Sequence, residues 1–163
     1  MKFVALGSNL PVAHVSLIEN LRAAVAALAA QKFNIIARAL LYTSAPVPAS
    51  DQPDFINTVV QVAFDGTPEE ALARCMAIET AMGRVRQQRN EARIIDIDII
   101  AWDDMVQAGS PELPHPRLHE RAFVVWPLCD IAPDWMHPLL CRTVQDLKHA
   151  LLPSDIRLSA EQW

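Results

Sequence analysis

No stretch of the 163 residues approaches the roughly eighteen consecutive apolar side chains of a membrane-spanning helix. The N-terminus offers a single Lys2 and a short apolar run that meets Gly7-Ser8-Asn9 before a signal-peptide core could be complete. The 3 cysteines, Cys75, Cys129 and Cys141, are odd in number and scattered, without a C-x-x-C pair. Such a set builds neither a disulfide framework nor a zinc site, and it suits a reducing compartment. A broad basic surface is missing too. With a net charge of −5, a nucleic-acid partner is not expected, because phosphate-backbone binding rests on Lys and Arg spread over one face. Repeats and low-complexity linkers are absent. What remains is a chain 52% hydrophobic and 20% charged, sized for one core, so a single cytoplasmic domain over 1–163 is the expectation.

Hydrophobic periodicity divides the chain into alternating elements. Phe3–Leu6 reads as a buried strand. Ala13–Ala30 repeats apolar residues at helical spacing, through Leu21, Val25 and Leu28. Asn34–Tyr42 and the β-branched, aromatic stretch Phe55–Phe64 read as strands, separated by the Pro-rich loop Ser44–Pro53. Thr67-Pro68-Glu69-Glu70 carries an N-cap, a proline at the first helical position and a capping-box acid, and Gly83 suits the far end of that helix. Ile94–Trp102 is a strand, expected to run on into a hairpin through Asp103-Asp104. Leu113–Arg117 is a Pro-rich turn, and Arg121–Cys129 opens a further helix. This order predicts an α+β fold: a ferredoxin-like βαββαβ sandwich with helices on one face of an antiparallel sheet, plus an irregular C-terminal extension.

Asp96 and Asp98 sit in the run I-I-D-I-D-I-I. Alternation along a strand turns both carboxylates to one face, about 6–7 Å apart, a spacing that holds one magnesium or two neighbouring ones. The competing reading is a solvated strand face. Upstream, Arg84, Arg86, Arg89 and Arg93 crowd one short segment. Guanidinium forks beside paired carboxylates make chemical sense around a polyphosphate, and a solvated basic loop is the alternative. His115, fixed between Pro114 and Pro116, and Arg121 are further phosphate-binding candidates. Asn57, two residues after Phe55 on the same strand, fits a reader of a flat heterocycle as well as it fits a structural amide. Ser8 and Asn9 serve either a ligand or a helix cap.

Seven blocks occur in a telling order: GSNL, YTSAPV, DQPDFIN, IETAMGRVR, ARIIDIDII, LPHPRLHERAF and WPLCDIAP. Together they resemble the 6-hydroxymethyl-7,8-dihydropterin pyrophosphokinase family of folate biosynthesis. The resemblance implies that family's fold and its reaction, transfer of a pyrophosphoryl group from ATP to the pterin alcohol with release of AMP. It implies two Mg2+ ions on Asp96 and Asp98, and a catalytic set of Arg86, Arg93, Asp96 and Asp98. Arg84, Arg86, Arg93, His115 and Arg121 would face ATP, with Glu79 orienting arginines. Ser44, Val47, Phe55, Asn57 and Phe123 would form the pterin pocket. The implied partners are small molecules alone, neither nucleic acid nor membrane, and the implied state is a monomer. Two positions depart from the family pattern. Arg89-Asn90-Glu91-Ala92-Arg93 replaces a longer loop of the form R-W-G-P-R, and Met76 stands where a glutamine is common. A non-catalytic relative that binds pterin or nucleotide is the alternative. An RNA-binding module of the same fold is disfavoured by acidity and by the lack of an aromatic RNA-binding strand.

Overall fold

The computed structural model describes residues 1–12, 14–84, 91–151 and 156–163. Its centre is an antiparallel sheet. β1 (Lys2–Ser8) pairs with β4 (Phe55–Ala63) on one side and β5 (Asp96–Trp102) on the other. β2 (Asn34–Arg38) and β3 (Tyr42–Ser44) both pair with β4, and β8 (Ile156–Leu158) adds to β3. The strand expected over 34–42 is therefore two strands, broken at Ala39–Leu41. With α1 (Leu17–Ala30) after β1, α2 (Pro68–Ala81) after β4, and β2 and β3 counted as one interrupted strand, the order is the βαββαβ of a ferredoxin-like sandwich.

Helix boundaries follow local chemistry. α1 starts at Leu17 rather than in the Ala13 region because Ser16 and Glu19 form a capping box. Thr67 and Glu70 do the same for α2. Gly83 has φ +90°, where a side chain would be strained, and lets Arg84 N–H return to the Glu79 carbonyl at 2.9 Å. That turn delivers the Arg84 side chain to the sheet.

Strand alternation sorts the core into two layers. Val4, Leu6, Val60, Ile97 and Ile99 face α1 and α2, meeting Leu21, Leu28 and Ile78. Phe3, Val59 and Ile100 face the other way, onto Val124, Leu128 and Trp135. The two crossover helices share one face, as expected. The C-terminal third, expected to be irregular beyond the helix at Arg121–Cys129, builds the second layer. It contains α3 (Ala122–Ile131), preceded by a 3-10 turn at Leu118–Glu120, a short β6–β7 hairpin (Met136–His137, Arg142–Thr143) and α4 (Val144–Ala150). Beyond β5 the chain does not extend into a paired hairpin. Asp103, at φ +51°, turns it and takes an ion pair from the N-terminal ammonium at 2.7 Å. Among the described residues, no helix is long and apolar enough to cross a membrane.

Candidate active site

Asp96 and Asp98 alternate with Ile97 and Ile99, which are buried against α1 and α2, so the carboxylates face the α3 side. Phe55 and Asn57 share that face on β4, because they alternate in phase with Val59. The sheet end, the loop after β3 and the start of α3 enclose a cleft of about 740 Å³, counting its open mouth. Asp96, Asp98, Arg93 and Arg121 line its charged half. Ser44, Val47, Phe55, Asn57 and Phe123 line its less polar half. Nine of the residues singled out from sequence thus surround one space.

The charged half is a mesh of ion pairs. Asp96 Oδ1 receives Arg84 Nη1 at 2.5 Å and its Oδ2 receives Arg93 Nη1 at 2.7 Å. Arg84 Nη1 also contacts Glu79 Oε1, a buried carboxylate on α2 that accepts the Ile97 N–H at 2.8 Å. Glu79 therefore lies behind the cleft and ties α2 and Arg84 to β5. Asp98 is less well served: Arg121 Nη1 stands 3.6 Å from Oδ2. Desolvation by the cleft walls, and then the Asp96 carboxylate, push Asp98 up to about 6, with Arg121 opposing, although 41% of the side chain is exposed. Asp98, with one guanidinium at 3.6 Å and a like charge beside it, is the carboxylate of the two left open to a cation.

Magnesium fits this donor set. Among the described residues no cluster of three or more His, Cys, Asp or Glu forms a cage. Magnesium prefers one or two carboxylates and keeps water and phosphate oxygens as its remaining ligands.

His115 borders a neighbouring cavity beside Leu113 and His119. Its backbone N–H donates to Ile100 O at 2.8 Å, and its Nδ1 accepts the Arg117 N–H at 3.1 Å. Burial, with Arg121 and Arg117 nearby, lowers its pKa to about 4. The ring is therefore neutral at physiological pH and carries its proton on Nε2, the one nitrogen left to donate. Burial also lowers the pKa of Arg121, although Asp98 opposes this; its guanidinium lies 5.7 Å from the Phe123 ring. Arg93 lies 5.9 Å from the Phe55 ring. Each aromatic thus adjoins an arginine of the charged half, joining the two halves of the cleft.

In the less polar half, Asn57 Nδ2 donates to Ser44 Oγ at 2.9 Å, and both side chains are buried. Gly7 permits a close approach here: a Cβ would stand 3.0 Å from Asn57 Oδ1 and would press on that amide. Ser8 and Asn9 neither cap a helix nor line the cleft. Ser8 Oγ donates to Ile94 O at 2.6 Å, and Asn9 Oδ1 accepts the Arg93 N–H at 2.8 Å. Asn9 Nδ2 reaches Gln52 Oε1 at 3.2 Å and Pro53 O at 3.3 Å, and Asn20 braces Ser8 and Leu10 from α1. This latch joins the approach to Phe55 to the approach to Asp96. Arg117, not singled out from sequence, also lines the cleft; its place directly after Pro114-His115-Pro116 was the available signal. Arg86, Arg89 and Asn90 lie outside the described residues, and with the last two the start of the altered loop.

Residues 3–133 match the family described as 7,8-dihydro-6-hydroxymethylpterin-pyrophosphokinase. The chain belongs to that family. A similar protein of Methylorubrum extorquens, named 2-amino-4-hydroxy-6-hydroxymethyldihydropteridine pyrophosphokinase, is 37% identical over 156 residues, covering 94% of this chain and 95% of the relative. A folic acid synthesis protein of Dictyostelium discoideum is 37% identical over 147 residues, or 90% of this chain, but this chain spans only 22% of its length. A Plasmodium falciparum HPPK-DHPS crystal structure superposes with a TM-score of 0.72 at 16% identity, over 91% of this chain and 44% of that one. At that identity it supports the fold alone.

Proposed function

We propose that the chain catalyses transfer of a diphosphoryl group from ATP to the hydroxymethyl oxygen of 6-hydroxymethyl-7,8-dihydropterin, a step of folate biosynthesis. The observation that carries this reading is the single cleft that places an amide and two aromatics beside two carboxylates and several guanidiniums. The hydroxymethyl oxygen forms a bond to the β-phosphorus, and the bond between that phosphorus and the α,β-bridging oxygen breaks. AMP departs with the electron pair, and the hydroxyl proton passes to solvent.

Transfers of this kind depend on alignment and charge neutralisation more than on a strong protein base. Phe55 and Phe123 hold the pterin ring by stacking, and Asn57, oriented by Ser44, reads its polar edge. Val47 closes the pocket from the loop after β3. Arg93, Arg121 and the neutral Nε2–H of His115 donate to phosphate oxygens, while Glu79 and Arg84 keep Asp96 turned toward the cleft. Asp96 and Asp98 would hold two magnesium ions, which when bound neutralise phosphate charge. Arg86 completes the proposed phosphate-binding set. The working form is proposed to be a cytoplasmic monomer.

The decisive measurement is product identity. Protein, ATP, magnesium and the pterin alcohol should yield AMP and a pterin diphosphate; ADP with a pterin monophosphate would overturn the mechanism.

A further inference from the structure

Arg117 stands where the main cleft meets a second groove running past Pro46 and Leu151, and it lines both. Its backbone is fastened: the N–H donates to His115 Nδ1 at 3.1 Å, and the carbonyl accepts Glu120 N–H at 3.3 Å. The side chain is not. Its Nε donates to Glu120 Oε2 at 3.3 Å, in a pair whose members are 53% and 55% exposed. Among the described residues no hydrogen bond or ion pair engages its two terminal nitrogens, whereas Arg84 and Arg93 are committed to Asp96 and Arg121 faces Asp98. Arg117 is also close enough to Arg121 and His115 for its charge to depress the pKa of each. A cation placed against other cations gains most from an anion that bridges them.

We propose that Arg117 is a further phosphate-binding residue, held at the rim by Glu120 and released from it to grip the polyphosphate of the bound nucleotide. This rests on the phosphate-transfer reading above and deepens it. An exposed carboxylate pair is weak, while a guanidinium donates to phosphate through two parallel hydrogen bonds, so the exchange is favourable. A phosphate gripped through Nε and one terminal nitrogen takes the donor that Glu120 holds, so Glu120 competes with the substrate for that edge of the guanidinium. The two residues should therefore affect binding in opposite directions, a signature that a merely structural contact would not produce.

The test is direct binding of inorganic tripolyphosphate with magnesium to the full chain, measured by calorimetry, with circular dichroism confirming the fold of each variant. Arg117→Ala should weaken binding about tenfold, the equivalent of about 1.4 kcal/mol, and Arg117→Lys should recover part of the loss. Glu120→Ala should tighten binding about two- to fivefold, the gain expected from releasing one surface ion pair. In the Arg117→Ala background, Glu120→Ala should have no effect. The proposal is overturned if Arg117→Ala binds like the parent while Asp98→Ala has lost binding, a result that leaves the phosphate site itself standing. It is equally overturned if Glu120→Ala weakens binding. If neither Arg117→Ala nor Asp98→Ala changes binding, the phosphate-transfer reading fails along with it.

Discussion

Two aspartates separated by one residue have different physical roles. Asp96 answers two guanidiniums, whereas Asp98 has one at 3.6 Å and a like charge beside it. Its pKa rises from 3.8 to about 6, so the folded state binds this proton more tightly than the unfolded chain does. The stability linked to that proton is present below the unfolded value and is lost as pH rises through about 6. In metal-free protein, Asp98→Asn should therefore raise the melting temperature at pH 8 and change it little at pH 4. Asp96→Asn should lower it, because Arg84 and Arg93 lose their shared partner. Melting curves of both variants across pH check the contrast; equal effects would mean that the two carboxylates are interchangeable. Asn57→Ala should weaken pterin binding more than ATP binding. One lost hydrogen bond is worth about 0.5–1.5 kcal/mol, more if a buried donor on the ring is left unpaired. Calorimetry with each ligand alone decides, and equal losses would make Asn57 a support of the fold. Most of these residues were legible because alternation along a strand assigns a face from sequence alone. What was not legible was the asymmetry between Asp96 and Asp98, which depends on where the turn at Gly83 delivers Arg84.

At the scale of elements, local signals were read well and distant ones were not. The Thr67–Glu70 box and Gly83 fix both ends of α2 from neighbouring residues. The break between β2 and β3 is invisible locally, because Ala39–Leu41 is as apolar as the strands beside it. It is held by distant partners, with Leu40 N–H on Asp130 Oδ2 and Trp163 Nε1 on Ala39 O at 2.7 Å. The latch around Asn9 is a similar case, spanning 84 residues to Arg93. It holds the start of β4, with Phe55, against the segment entering β5, with Arg93 and Asp96. Asn9 is fully buried, and Asn9→Ala would orphan the Arg93 N–H. The expected cost is about 1–3 kcal/mol of stability. Because the latch sets Arg93 beside Phe55, the variant should also turn over more slowly under conditions where it is fully folded. Urea melts and single-turnover rates test the two parts, and a rate unchanged in folded protein would leave Asn9 with a stabilising role only.

The whole molecule is one sheet coated on both faces, and the second coat is the part sequence periodicity described least. Apart from α3, its elements are too short to show a period: α4 has 7 residues, and β6 and β7 have 2 each. Even so, Trp135, Val144 and Leu147 from this region are buried against the face that carries Phe3, Val59 and Ile100. Burying each side chain contributes about 1.5–3 kcal/mol, so the three contribute roughly 5–9 kcal/mol. That is as large as the net stability of many domains, about 5–15 kcal/mol. The chain also returns across the other layer, where Trp163 packs on the first core and Gln162 exchanges hydrogen bonds with the Leu41 backbone. Neither coat can then leave without exposing a sheet face that the other coat does not cover. We therefore expect the full chain to unfold in a single transition, with amides of α1 and α3 exchanging at similar free energies. A chain ending at Pro133 should lose fixed tertiary structure and bind hydrophobic dyes, even though the family match closes at that residue. Hydrogen exchange and near-ultraviolet circular dichroism decide this. Two separated transitions, or a truncated chain that still melts cooperatively, would mean that the layer beneath α1 and α2 stands alone and that the second coat serves chiefly to shape the cleft.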